Sequence, residues 1–387
     1  MSAKSGHVDG FANANLPPRE QWPVLLLDRP EFTYPERLNA AVEFIDRMVE
    51  KGFGAQPCLI GRDSAWTYAE TLAQVNRIAN VLVNDLGFVP GNRVLLRSGN
   101  NPMLAACYLA VLKAGGVVVA TMPLMRAGEL AAVIRKAEIS HAFCHAPLID
   151  DLVAAQNDCP MLKRIVAWGD GAPDSLESRM AKASPAFTAC DTAQDDTCLI
   201  AFTSGTTGVP KGTMHFHRDL LIICDGFGAS FLRARPEDRF IGSPPLAFTF
   251  GAGGLLLFPL RVGASTVLLE QVGPKDLLAA IARHRATTLF TAPTAYRAML
   301  ADLKNHDVSS LRRCVSAGEV LPAPTWEAWF AATGLKITEG LGSTELLHVF
   351  IGGEPDTACA GRTGFPVPGY EARVVDEAGV PVPDGTD

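Results

Sequence analysis

The stretch Thr203-Ser-Gly-Thr-Thr-Gly-Val-Pro-Lys-Gly212 decides how this chain reads. It follows the apolar run CLIAF (198–202) and packs three glycines and four hydroxyl side chains into ten residues. Glycines let backbone N–H groups approach an anion, hydroxyls donate hydrogen bonds, and Lys211 supplies a cation. Together they suit a polyphosphate. The loop is not of the Walker A kind, because Pro210 precedes Lys211 and Gly212 follows it. No G-x-G-x-x-G occurs, so the dinucleotide fingerprint is missing as well.

Outward from this loop, apolar strands alternate with helices. On the N-terminal side, Thr67-Tyr-Ala-Glu70 is a capping box that opens a helix with apolar residues at helical spacing, closed by Gly87. Then come a strand RVLLR (93–97), a helix MLAACYLAVLKA (103–114), a strand VVVATM (117–122), a helix GELAAVIRKAE (128–138) and a strand HAFCH (141–145). On the C-terminal side, strands at 239–243, 265–270, 287–292 and 336–342 alternate with helices near 218–231 and at 253–260, 275–284 and 324–333. This alternation predicts a largely parallel sheet covered on both faces. Residues 1–40 read as an irregular arm and 170–195 as a linker between subdomains. From about 360, Pro, Gly and alternating Tyr370, Ala372 and Val374 suggest an antiparallel hairpin or barrel edge.

With 387 residues, 48% hydrophobic and 19% charged, the chain can build two or three packed units and is not disordered. Lys+Arg 34 against Asp+Glu 41 gives a net charge of −7. That balance offers no broad basic face to nucleic acid or to an anionic bilayer, so neither is an expected partner. Nine scattered cysteines without a C-x-x-C pair read as free thiols in a reducing cytoplasm. No apolar stretch is long enough for a signal peptide or a membrane span.

The 203–212 string resembles the phosphate-binding signature of the adenylate-forming superfamily, which includes acyl- and aryl-CoA synthetases, peptide-synthetase adenylation domains and luciferases. Three further segments match in the family's order. Ser316-Ala-Gly-Glu-Val-Leu-Pro322 resembles the adenine-binding segment. Gly340-Leu-Gly-Ser-Thr-Glu345 resembles the one that places a Thr on phosphate and a Glu on Mg²⁺. Pro245-Leu-Ala-Phe-Thr-Phe-Gly251 resembles the one whose aromatic residue borders the acyl site. Through GLGSTELLHVF (340–350) and GRTGFPVPGYEARVVD (361–376) the chain is similar to aryl-CoA ligases of the benzoate and 2-aminobenzoate type.

The resemblance implies an α/β fold: two stacked αβ subdomains (1–190 with the arm, 191–359 with the motifs) and an incomplete β-barrel from 360 to 387. It also implies a two-step reaction, in which an aromatic carboxylate is activated by ATP as acyl-AMP and then passed to coenzyme A. Carried over position by position, Thr203, Ser204, Gly205, Thr206, Thr207, Gly208 and Lys211 would meet the phosphates. Ala317, Gly318, Glu319, Leu341, Gly342, Ser343 and Thr344 would line the nucleotide. Many relatives have Tyr where this chain has Leu341, so a hydroxyl contact to the adenine is lost. Thr344, Glu345 and Lys211 would serve catalysis, with Glu345 on the metal.

These residue types suit the chemistry. Joining a carboxylate to the α-phosphorus of ATP brings two anions together, so the site must neutralise charge and align the attack. Glu345 is a hard oxygen ligand for Mg²⁺. Candidates for the aryl pocket are Phe248, with Phe250 as its rival, and His348, Val349, Ile223 and Asp225, since flat aromatic and aliphatic walls suit a benzoate ring. His215 and His217 form an H-x-H pair without a third ligand, which leaves them strand and helix-start roles.

Relatives also carry a ribose-binding Asp, a hinge and a small lid with the adenylation lysine. These are expected beyond Asp387, so the C-terminal lid is absent from this chain. Two other readings stand beside the ligase: an adenylation domain that loads a carrier-protein thiol, and a binding module without turnover. Monomer and homodimer are both open.

Overall fold

The computed structural model describes residues 4–203, 210–383 and 385. The strands in chain order are β1 (Pro57–Ile60), β2 (Ala65–Thr67), β3 (Arg93–Arg97), β4 (Val117–Thr121), β5 (His141–His145), β6 (Arg164–Trp168), β7 (Thr197–Thr203) and β8 (Lys211–Phe216). They continue with β9 (Arg239–Gly242), β10 (Ser265–Val267), β11 (Thr288–Thr291), β12 (Arg313–Ala317), β13 (Ile337–Gly342), β14 (Val349–Gly352) and β15 (Phe365–Pro366). They form two sheets. The smaller runs β6-β5-β3-β4-β7-β8, and the larger runs β15-β14-β13-β12-β11-β9-β10-β1-β2.

Both sheets are parallel at their centres; the larger has antiparallel pairs at both edges, and the smaller has one at its β7–β8 edge while β6 pairs parallel with β5. The central strands carry apolar residues at successive positions, because helices cover both faces: β3 and β11 are buried at every residue. The helix Pro102–Lys113 lies deep between the layers, with all but one of its residues buried. Its Lys113 is satisfied by Asp46 at 2.6 Å and Asn76 at 2.7 Å. The capping box at Thr67 and Glu70 forms as expected.

Sheet membership crosses the division expected at 190/191. β1 and β2 leave the N-terminal part to pair with β10 in the larger sheet. β7 and β8 cap the smaller sheet through β4. The expected strand at 265–270 is shorter, ending at Val267. Beyond it the chain leaves the sheet, and Glu270 accepts a hydrogen bond from Asn101. The helix expected at 253–260 is the middle of a longer helical run from Thr249 to Val262. In the 360–387 segment the described residues show β15 against β14 and one antiparallel bridge, Val375 to Pro381, without a closed barrel. Among the described residues no helix is long and apolar enough to cross a membrane.

Candidate active site

Two antiparallel hairpins carry the chemical motifs. In the first, β7 leads into the 203–212 loop and β8 returns from it, with Thr203 paired to Lys211. Thr203 is half-buried and Lys211 exposed. Ser204, Gly205, Thr206, Thr207 and Gly208 lie outside the described residues. In the second hairpin, β13 ends at Gly342 and β14 begins at Val349. The turn between them holds Ser343, Thr344 and Glu345. Ser343 Oγ accepts from the Leu346 N–H at 3.2 Å, and the Thr344 carbonyl accepts from the Leu347 N–H at 3.2 Å. The Glu345 carboxylate is exposed and has no ion-pair partner among the described residues.

The two hairpins touch. His215, on β8, donates from Nε2 to the Thr344 carbonyl at 2.8 Å. Burial lowers the His215 pKa, while Asp219 and Glu345 pull it the other way. His217, two residues on, points to another part of the molecule: its Nδ1 accepts from the Ala40 N–H at 3.1 Å. The H-x-H pair therefore does not converge, and no group of three potential metal-binding side chains forms among the described residues.

Beside the second hairpin, β12 ends in Ala317, whose strand partner is Gly340. Gly318 follows with φ +93°, a left-handed conformation that glycine adopts without strain, and it stands exposed next to Glu319. Leu341 is half exposed on the neighbouring strand. The structure thus brings Gly318, Glu319, Leu341 and Gly342 to adjacent strand ends.

The aromatic candidates divide. Phe248 is 49% exposed at the start of the helix Thr249–Ala252, whereas Phe250 faces inward. The His348 imidazole is buried among Phe227, Phe250, Phe258 and Phe290, with ring centroids 5.6, 5.5, 4.6 and 6.4 Å away. Among the described residues neither ring nitrogen makes a hydrogen bond of normal geometry. Burial pushes its pKa down to about 3, so the ring is neutral. Val349 is buried next to it in the sequence.

Ile223 shares the apolar core with Phe227, Phe258 and Val349, whereas Asp225 is held by an ion pair. Ile223 is buried, and the Asp225 carboxylate accepts from Arg261 Nε at 2.9 Å, Arg261 Nη2 at 2.8 Å and the Tyr34 hydroxyl at 2.8 Å. A cavity of about 810 Å³ opens on another side of the Glu345 turn, lined by Trp22, Met214, Phe216, Ile222 and Tyr370. Of the candidate residues it touches only Ile223 and Glu345. Sequence reasoning missed it because one wall is the arm, where Trp22 stacks on Phe216 at 5.3 Å. The apolar run VLLL (24–27) after Trp22 was the available signal.

The sequence model for AMP-binding enzymes matches residues 47–387. A benzoate–CoA ligase of Thauera aromatica is 33% identical over 356 residues, which cover 91% of this chain and 68% of that protein. An anthranilate–CoA ligase of Pseudomonas aeruginosa is 34% identical over 315 residues, covering 80% and 58%. The crystal structure of an anthranilate–CoA ligase in complex with anthranoyl-AMP matches with a TM-score of 0.88 at 32% identity, over 92% of this chain and 69% of that one. A benzoate–CoA ligase from Burkholderia xenovorans matches with a TM-score of 0.83 at 29% identity, over 90% and 70%. The chain belongs to the AMP-binding enzyme family, in its group of aryl-acid–CoA ligases. It spans about two thirds of the length of these relatives.

Proposed function

We propose that this chain carries the acid- and ATP-binding part of an AMP-forming aryl-acid–CoA ligase, acting on benzoate or 2-aminobenzoate. In the first step a carboxylate oxygen attacks the α-phosphorus of ATP and pyrophosphate leaves. In the second the CoA thiol attacks the acyl carbon and AMP leaves. The observation that carries the reading is the junction of the two hairpins: β8, the strand that begins at Lys211, meets the turn bearing Thr344 and Glu345 through His215.

Lys211 and the hydroxyls of Thr203 and Thr344 would hold the phosphates, and Gly318, Glu319 and Leu341 the adenine. Phe248, Phe250, His348 and Val349 would wall the ring of the acid. The exposed, unpaired carboxylate of Glu345 fits a single protein ligand to Mg²⁺. The ion would neutralise phosphate charge. Aromatic faces and a neutral imidazole at the acid's ring would favour a flat apolar group over an aliphatic chain. Nine free thiols, most of them buried, support a reducing, cytoplasmic setting. Breakdown of aromatic acids is the pathway class that fits such a ligase.

Calorimetry on this chain tests the proposal. The probes are benzoate, 2-aminobenzoate, octanoate and a non-hydrolysable benzoyl-adenylate analogue with a sulfamoyl group in place of the phosphate. The analogue should bind at least about a hundredfold tighter than benzoate, because it joins both subsites. Preference for octanoate, or indifference to the analogue, would overturn the reading.

A further inference from the structure

The turn that carries Thr344 and Glu345 has few ties of its own. Within it, Ser343 Oγ and the Thr344 carbonyl each accept one backbone N–H, and Leu347 sits at φ +68°. The strong outside tie comes from β8, where His215 Nε2 meets the Thr344 carbonyl at 2.8 Å. A carbonyl oxygen only accepts, so the proton of the neutral ring is on Nε2. Thr213 Oγ1 lies 3.2 Å from the same nitrogen and donates at 3.0 Å to the Ala201 carbonyl on β7. His215 is 4% exposed, although it also borders the 810 Å³ cavity.

We infer that His215 is a positioning residue of the adenylation site: its Nε2–H fixes the Thr344 carbonyl and so sets the Thr344–Glu345 turn at a defined place relative to β8 and its Lys211. The inference rests on the adenylation reading above. The geometry is that of a ruler. Lys211 and His215 lie on one strand, four residues apart, a span of roughly 13 Å in extended backbone. Lys211 marks the end that reaches the loop, and His215 marks the end that grips the turn. Groups from two hairpins must act on one phosphate chain, and a displacement of about 1 Å in such an arrangement is costly. A shared strand with a hydrogen-bonded clasp removes that freedom without spending a charged group.

The experiment uses the full chain with His215→Leu, which removes the donor, and His215→Gln, whose amide can still donate. Benzoate and the sulfamoyl adenylate analogue are titrated against each, and the imidazole ¹⁵N–¹H spectrum of the wild type is recorded. The Leu variant should bind benzoate within about twofold of wild type and the analogue about five- to tenfold more weakly, the size of one lost hydrogen bond. The Gln variant should recover to within about twofold. The wild-type spectrum should show a protected Nε2–H tautomer for His215.

Unchanged analogue binding in the Leu variant, equal losses on both probes, or an Nδ1–H tautomer would overturn the inference. If the Leu variant fails to fold, the Gln variant and the tautomer decide. A wild type that binds neither probe sinks the adenylation reading, and the inference with it. A wild type that binds both while the Leu variant is indifferent sinks the inference alone.

Discussion

Gly253 lies directly against the imidazole of His348: a β-carbon at position 253 would overlap His348 Cδ2. The histidine is otherwise boxed in by aromatic rings, so the missing side chain is what lets it occupy the cluster. Gly253→Ala should therefore displace the ring and destabilise the chain by about 1–3 kcal/mol, the usual cost of overpacking. Urea denaturation would measure the stability loss, and calorimetry would show a change in the ranking of benzoate against 2-aminobenzoate. A stable variant with an unchanged ranking would place His348 outside the acid's surroundings.

Glu345→Gln should leave stability within about 0.5 kcal/mol, since the carboxylate is exposed and has no ion-pair partner among the described residues. Its effect should fall on nucleotide binding in the presence of Mg²⁺, which we expect to weaken at least about tenfold, while benzoate affinity stays constant. Titration with and without Mg²⁺ separates these effects. Parallel loss of acid and nucleotide binding would count against a metal role.

Phe248→Ala should also fold normally, as the ring is half exposed. Removing it opens space where the acid is expected to enter, so acceptance should shift towards bulkier ring-substituted benzoates by about tenfold. Binding of ATP alone should hold. If ATP binding collapsed instead, Phe248 would belong to the nucleotide side.

Asp225 is expected to behave as a structural residue. Its carboxylate is engaged by both sides of the Arg261 guanidinium and by Tyr34, whose pKa rises mainly through burial and then through Asp225. Asp225→Ala leaves Arg261 its weaker 3.5 Å contact with Glu43 and should cost about 2–4 kcal/mol, less than a fully buried pair because about a fifth of each side chain is exposed. Thermal unfolding together with benzoate titration tests this. A stable variant with reduced acid affinity would return Asp225 to the pocket.

Stability should fall as pH drops below about 6.5. Burial pushes His217 and His348 down to about 3, so in the folded state both remain neutral where unfolded histidines take up protons. Proton uptake by the unfolded chain then favours unfolding. Each site should cost about 1.6 kcal/mol between pH 6.5 and 5, because the slope approaches 1.36 kcal/mol per pH unit only once the unfolded histidine is protonated. His348→Phe should flatten the dependence by one proton's worth. Urea midpoints at pH 7.5, 6.0 and 5.0 measure it, and identical slopes for the two proteins would refute the assignment.

Much of the fold was legible because its local signals are strong. RVLLR and HAFCH coincide with β3 and β5 to the residue, and Thr67 and Glu70 form the capping box that their spacing announces. Pairing was not legible. Nothing in PCLI (57–60) says that it will lie beside Val267 in the farther sheet, since partner choice depends on the packing of whole layers. β12 is as long as β3, but its RCVSA carries a charge, a small polar residue and only one β-branched residue, which makes a weak strand signal. In the site, the motif strings named the residues that the hairpin ends bring together. The grip of His215 on Thr344 was hidden, because a hydrogen bond to a backbone carbonyl leaves no mark on the partner's identity.

The exchange of strand pairs between the sheets bears on how the chain can be divided. A nick anywhere in 170–195 would yield two fragments, each holding a hairpin that completes the other's sheet. Neither fragment could satisfy its own sheet edges alone, so the pieces should stay associated after cleavage and regain structure only when mixed. Residues 1–190 and 191–359 are, in that sense, interleaved rather than joined end to end.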